Sequence, residues 1–138
     1  MTEAERTRVQ VEPVLLEAMD ARRKLATAEK KFSALTERIM RQGGMVISYS
    51  EASKLRTERD GFAQTLRAAI EHIEATGCVV KDLDVGLLDF PSRINDEDVY
   101  LCWRVGEDRI RFYHRQHEGF AGRKPIDPRD SGRQNPIQ

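Results

Sequence analysis

The residues able to do chemistry crowd into one stretch of the 138-residue chain. Asp84, Asp89, Cys102, Glu107, His114 and Arg123 supply carboxylates, a thiol, an imidazole and a guanidinium, the groups from which a small-ligand or metal-dependent site is built. Cys102 and His114, with a carboxylate such as Asp84 or Glu107, are the candidate metal ligands, although they lack the compact spacing of a zinc motif. Each residue also has an ordinary role. Asp84 suits a turn, Asp89 a cross-strand ion pair with Lys81, Cys102 a buried thiol, Glu107 a strand end, His114 the edge of a core and Arg123 the surface. No nucleophile and base stand at readable spacing, and no cofactor is expected.

A different chemistry is suggested by Gly119-Phe120-Ala121-Gly122-Arg123-Lys124, preceded by His117. Backbone N–H groups made accessible at Gly122, beside Arg123, suit an anion such as a phosphate. The glycine spacing is too short for a nucleotide phosphate loop and no Ser or Thr follows the lysine, so a surface turn ending a sheet is the plainer reading. His72 falls on a charged helix face and reads as solvated.

These groups need strands to position them. Residues 78–83 and 87–90 flank Asp84-Val85-Gly86 as a tight hairpin. Residues 99–105 alternate Val99, Leu101, Trp103 and Val105 with Tyr100, Cys102 and Arg104, and residues 109–114 alternate Ile110 and Phe112 with Arg109, Arg111 and Tyr113. Apolar matched to apolar pairs Trp103 with Phe112, Val105 with Ile110 and Leu101 with His114. Cys102 then points away from His114, beside Tyr113, and a slip of one residue would reunite the two.

Upstream, Val11, Val14, Ala18, Ala21, Leu25, Ala28, Phe32, Leu35 and Ile39 recur in steps of three and four, a heptad stripe that predicts a helix from Val11 or Glu12, near Pro13, to Gly43 and Gly44. A second helix is predicted from Ser48 or Ser50, with Ser48 and Glu51 as a capping box, to Gly77. Folding the two together sets Phe62 near Ala28, Leu66 near Leu25, Ile70 near Ala21 and Ile73 near Ala18, large against small, with Arg59 against Phe32. Leu15, Met19, Ile70 and Ile73 widen the apolar surface at one end, where the strands are expected to form a lid. At the other end Met45, Val46, Ile47 and Tyr49 either fold back over the last turns or form a partner-binding tip.

The reading is α+β: a long antiparallel two-helix coiled-coil hairpin over about 11–76, a small antiparallel sheet of about four strands over about 78–123 and a flexible tail over about 124–138, as one domain. Lys plus Arg equals Asp plus Glu at 23 each, which makes nucleic acid an unfavoured partner. No apolar run is long enough for a membrane, and Cys78 and Cys102 suit reduced thiols better than a disulfide framework, so a cytoplasmic location is expected.

The runs Gly77-Cys78-Val79-Val80-Lys81-Asp82, Gly86-Leu87-Leu88-Asp89-Phe90-Pro91 and Val99-Tyr100-Leu101-Cys102-Trp103-Arg104-Val105-Gly106-Glu107, followed by His114 and by Gly119-Phe120-Ala121-Gly122-Arg123, resemble a family of uncharacterised prokaryotic proteins, some labelled division initiation protein. The resemblance is specific over residues 77–123. It implies a tryptophan before the histidine and an acidic residue three positions after it, where this chain has Tyr113 and His117. It implies no activity. The expected function is therefore a non-enzymatic interaction or scaffold protein that self-associates, as a dimer or larger homo-oligomer, or binds a protein partner. The alternative is a small-ligand- or metal-dependent enzyme with its site on the strands.

Overall fold

The computed structural model describes residues 2–42, 49–115, 122–126 and 135–136. Helix α1 spans Glu3–Arg41 and α2 spans Tyr49–Ala75. They run antiparallel: Arg38 pairs with Glu51 at 3.1 Å near one end, and further along the Arg59 guanidinium lies 4.7 Å from the Phe32 ring centre, as the stripe matching requires. Phe62 and Ala28 line a common cleft, and Ala18, Ala21, Ala28 and Ile73 are buried along the seam.

Helix α1 begins earlier than the sequence suggests. Thr2 caps it by accepting a hydrogen bond from the Glu5 amide at 3.2 Å, and Glu3 and Glu5 favour the positive end of the helix dipole. Pro13 sits inside the helix, where its missing N–H leaves the Val9 carbonyl without its usual partner. Both residues are exposed, so water can take that bond and the cost is reduced. The 39 residues extend about 58 Å. The proposed Ser48 cap, with Gly43, Gly44, Met45, Val46 and Ile47, lies outside the described residues, while Tyr49 is 87% exposed.

After Gly77, whose φ of +92° lets the chain leave α2, come β1 (Val79–Asp82), β2 (Leu87–Ile94), β3 (Glu97–Arg104), β4 (Phe112–Arg115), β5 (Lys124–Pro125) and β6 (Asn135–Pro136). The sheet is antiparallel in the order β1-β2-β3-β4-β5, and β6 pairs with the far end of β2 at Ser92 and Arg93. The chain is thus an α+β fold with more strands than four. Within the stretch read from the sequence as a tail, residues 124–125 pair with β4 and residues 135–136 with the end of β2, so their backbone groups bond within the sheet.

The sequence reading stops β2 at Phe90, but it runs on through Pro91 to a two-residue turn. Asn95 and Asp96 both have positive φ, 51° and 63°, which is what a tight hairpin of right-handed twist demands. Leu88, Phe90 and Ile94 then share a face with Val99, Leu101 and Trp103. That face is buried against Val11, Leu15 and Met19 of α1 and Ile73 of α2, so the sheet does cover the wide end of the hairpin. The added first turns of α1 complete the cover. Arg8 lies 5.7 Å from the Trp103 ring centre and a Glu5 carboxylate oxygen accepts from the Ile110 amide.

Gly86, between β1 and β2, has φ of +73°, and a Cβ there would stand 2.6 Å from Val105 Cγ1. Gly86→Ala should lower unfolding stability by about 2–3 kcal/mol through strain and overpacking, against about 1 kcal/mol for Gly77→Ala, which shares the positive φ but faces open space. Urea titration of the two variants checks the ranking.

Candidate functional site

The register between β3 and β4 decides which chemistry-bearing residues meet. Tyr100 lies opposite His114, Leu101 opposite Tyr113 and Cys102 opposite Phe112, one residue away from the apolar-to-apolar match. The reason is the connection, residues 105–111, which is irregular and organised by Glu107. Its carboxylate accepts from the Arg104 amide at 2.7 Å, its amide donates to the Arg104 carbonyl at 3.0 Å, and its carbonyl accepts from Trp103 Nε1 at 2.9 Å. Tyr113, rather than Phe112, therefore joins the core face. Cys102 and His114 come to the same side of the sheet, away from the helices.

Asp89 of β2 completes this group, because it is the direct neighbour of Cys102. Asp89 and Cys102 are each 1% exposed and His114 is 5% exposed. Asp89 Oδ2 lies 3.0 Å from His114 Nε2, and His114 Nδ1 lies 2.9 Å from the Arg115 carbonyl oxygen. Lys81 Nζ stands 4.0 Å from the same Asp89 oxygen. The expected pairing of Lys81 opposite Asp89 is replaced by Val79 opposite Asp89, with an irregularity between Val80 and Asp82, so Lys81 reaches the carboxylate diagonally and the main partner is His114. Burial raises the proton affinity of Asp89 above the usual carboxylate range, although His114, Lys81 and Cys102 all pull the other way. Its Oδ1 has no partner of hydrogen-bond geometry among the described residues.

Arg123 is drawn over this side from the 122–126 segment. Its guanidinium carbon lies 3.9 Å from the Phe112 ring centre and it forms an ion pair with Glu107. An anion at Gly122 and Arg123 would have to compete with that carboxylate, and Gly122 itself is half-buried. His117 and Gly119 lie outside the described residues. Asp84 does not converge with the others. It pairs with Arg22 of α1 at 2.9 Å in an exposed turn, because the loop it occupies folds toward the helices. The candidate residues thus divide into three sets: Asp89, Cys102 and His114 together, Glu107 with Arg123 beside them, and Asp84 apart.

Among the described residues no group of three or more His, Cys, Asp and Glu side chains is disposed to hold a metal ion. Asp89 and His114 direct their oxygen and nitrogen at each other, which fills the positions a metal would take. Neither cysteine is in a disulfide. Burial pushes Cys102 up to about 11, with the Asp89 charge adding to it, and pushes Cys78, in the core beneath the sheet, up to about 12.

Sequence reasoning overlooked Tyr100, whose ring centre is 5.5 Å from that of His114 and 5.8 Å from Lys81 Nζ. The available signal was Asn95-Asp96. Counting outward from that turn, Asp89 and Cys102 stand at equal distance on either side and must face each other.

A family model described as an uncharacterized conserved protein, DUF2203, matches residues 1–126. Neither a curated protein nor a solved structure matches the chain. Among the described residues no helix is long and apolar enough to cross a membrane.

Two outcomes follow from this geometry. Both thiols should resist alkylation in the native protein at pH 8 and react on unfolding, as followed by mass spectrometry. Asp89→Ala, which strands a buried imidazole, should cost about 3 kcal/mol or more in denaturant titration, whereas Asp89→Asn, which keeps a polar partner for His114, should cost less.

Proposed function

We propose that this chain, which belongs to the DUF2203 family, is a non-enzymatic interaction or scaffold protein that self-associates through its helical hairpin. One observation carries the proposal: among the described residues the sheet covers a single face of the hairpin, and none of them covers the opposite face. Leu15 and Met19 turn to the sheet, while Glu17, Lys24 and Lys31 lie round α1 on the other side. A cleft of about 390 Å³ there is bordered by Arg23, Lys24, Lys31, Glu58 and Phe62, and another of about 540 Å³ by Val14, Glu17, Gly61, Thr65, Ala69 and His72. The first is cationic and the second holds Glu17. A two-fold axis across this face sets the cationic cleft of one copy toward the Glu17 end of the other.

The proposal extends to a prokaryotic cytoplasm, supported by two unpaired buried thiols and by the resemblance of residues 77–123. A second reading, a small-ligand- or metal-dependent enzyme sited on the sheet, is favoured by the convergence of Asp89, Cys102 and His114. Their closure and the high proton affinity of the thiol weigh against it. Zinc binding seen by native mass spectrometry and abolished by Cys102→Ala would favour that reading.

Sedimentation equilibrium is the direct test of self-association. A dimer is expected, and Thr27→Arg or Thr65→Arg, both exposed residues of the clefts, should weaken it about tenfold or more without changing the circular dichroism. A strict monomer at high concentration overturns the proposal.

A further inference from the structure

The hydrogen bonds of His114 constrain where its protons are. The Arg115 carbonyl oxygen, 2.9 Å from Nδ1, can only accept, so Nδ1 carries a proton. Nε2 faces Asp89 Oδ2 at 3.0 Å, and a bond there needs one more proton, on the ring or on the carboxyl. Without it, a carboxylate lone pair would face a bare ring nitrogen inside a closed site.

We propose that Asp89 and His114 hold one proton in common at neutral pH, and that its release to solvent breaks the contact joining β2 to β4 across β3, a pH-sensitive latch on the outer side of the sheet. The pair then passes from net charge zero to net charge minus one.

The groups facing the pair are Lys81 from β1, Tyr100 and Cys102 from β3, and Arg123 with its partner Glu107. Lys81 favours the ionised carboxylate, and burial opposes it. Burial prevails at Asp89, whose proton affinity is raised, and this accords with a retained proton. Arg115, which follows His114, is itself engaged with Glu97 at 2.6 Å across the strand end.

The sign of the pH effect follows from counting protons. Once β4 opens, an ordinary histidine gives up its proton above about pH 6.5 and an ordinary aspartate stays ionised, so the open state holds none while the closed pair keeps one. Stability of the closed form is therefore fully present below that value and declines as pH rises, by about tenfold in the closing constant per pH unit, until the closed pair also loses its proton.

The decisive variant is Asp89→Asn. A carboxamide N–H can donate to a neutral Nε2 while Nδ1–H remains on the carbonyl, which makes a latch with no labile proton. Amide hydrogen exchange of β4, corrected for intrinsic rates, should show the wild type losing protection by up to about tenfold per unit between pH 7 and 9, and the variant losing none beyond the rest of its sheet. Equal losses in the two proteins overturn the proposal. Should the variant not fold, nitrogen-15 shifts of His114 in the wild type decide. Nδ1 must be protonated throughout, with a shared proton at Nε2 at pH 7. A bare Nδ1, or a neutral ring beside an ionised Asp89, overturns it.

Discussion

The turn at Asn95 and Asp96 sets both faces of the sheet. With only two residues between the strands, both at positive φ, β2 and β3 can pair in a single register over eight residues each. One side then presents Leu88, Phe90, Leu101 and Trp103 to the helices. The other necessarily sets Asp89 against Cys102. A slip of one residue would set Asp89 opposite Trp103 or Leu101 and force either the carboxylate into the apolar core or a large apolar side chain to the outside, so the hydrophobic demand of the inner side enforces the polar arrangement of the outer one.

The connection between β3 and β4 is the second determinant, and it works through polar bonds. Glu107 meets the Arg104 amide with its carboxylate and Trp103 Nε1 with its carbonyl, and Arg123 closes over it. Glu5, from the first turn of α1, satisfies the Ile110 amide. These bonds hold an irregular segment that apolar matching alone would have shortened, and they bring His114 round to Asp89. The charged residues here serve the backbone first, which is why groups that look catalytic in the sequence are already engaged with one another.

Much of this was legible in the sequence. The heptad stripe located the seam and the size matching of Phe62 with Ala28, because helix periodicity is local and repeated over many turns. Alternation in residues 99–105 identified the buried face that holds Trp103. The start of α1 was not legible, since Pro13 is a strong local stop signal and only tertiary burial of Val11 and Leu15 against the sheet, with Thr2 as cap, outweighs it. The position of His114 was lost for a related reason. Its register depends on bonds from Glu107 and Glu5, partners that apolar matching does not count. The ion pair of Asp89 with Lys81 was visible, but the register that sets Val79 opposite Asp89 and the contact with His114 were not, because an irregularity in β1 cannot be read from alternation.

Helix α1 belongs to two assemblies at once. Its first half is clamped between α2 and the sheet by Val11, Leu15 and Met19, and its second half has only α2 beside it among the described elements. In mechanical terms it is a cantilever built into a wall. The compliance of such a beam rises steeply with its unsupported length, and the bending moment from any load at the far end is greatest where the support stops, near Arg22 and its contact with Asp84. A force applied near Tyr49 would therefore be felt at the hinge between α1 and the β1–β2 loop, and from there by the strands that carry Asp89.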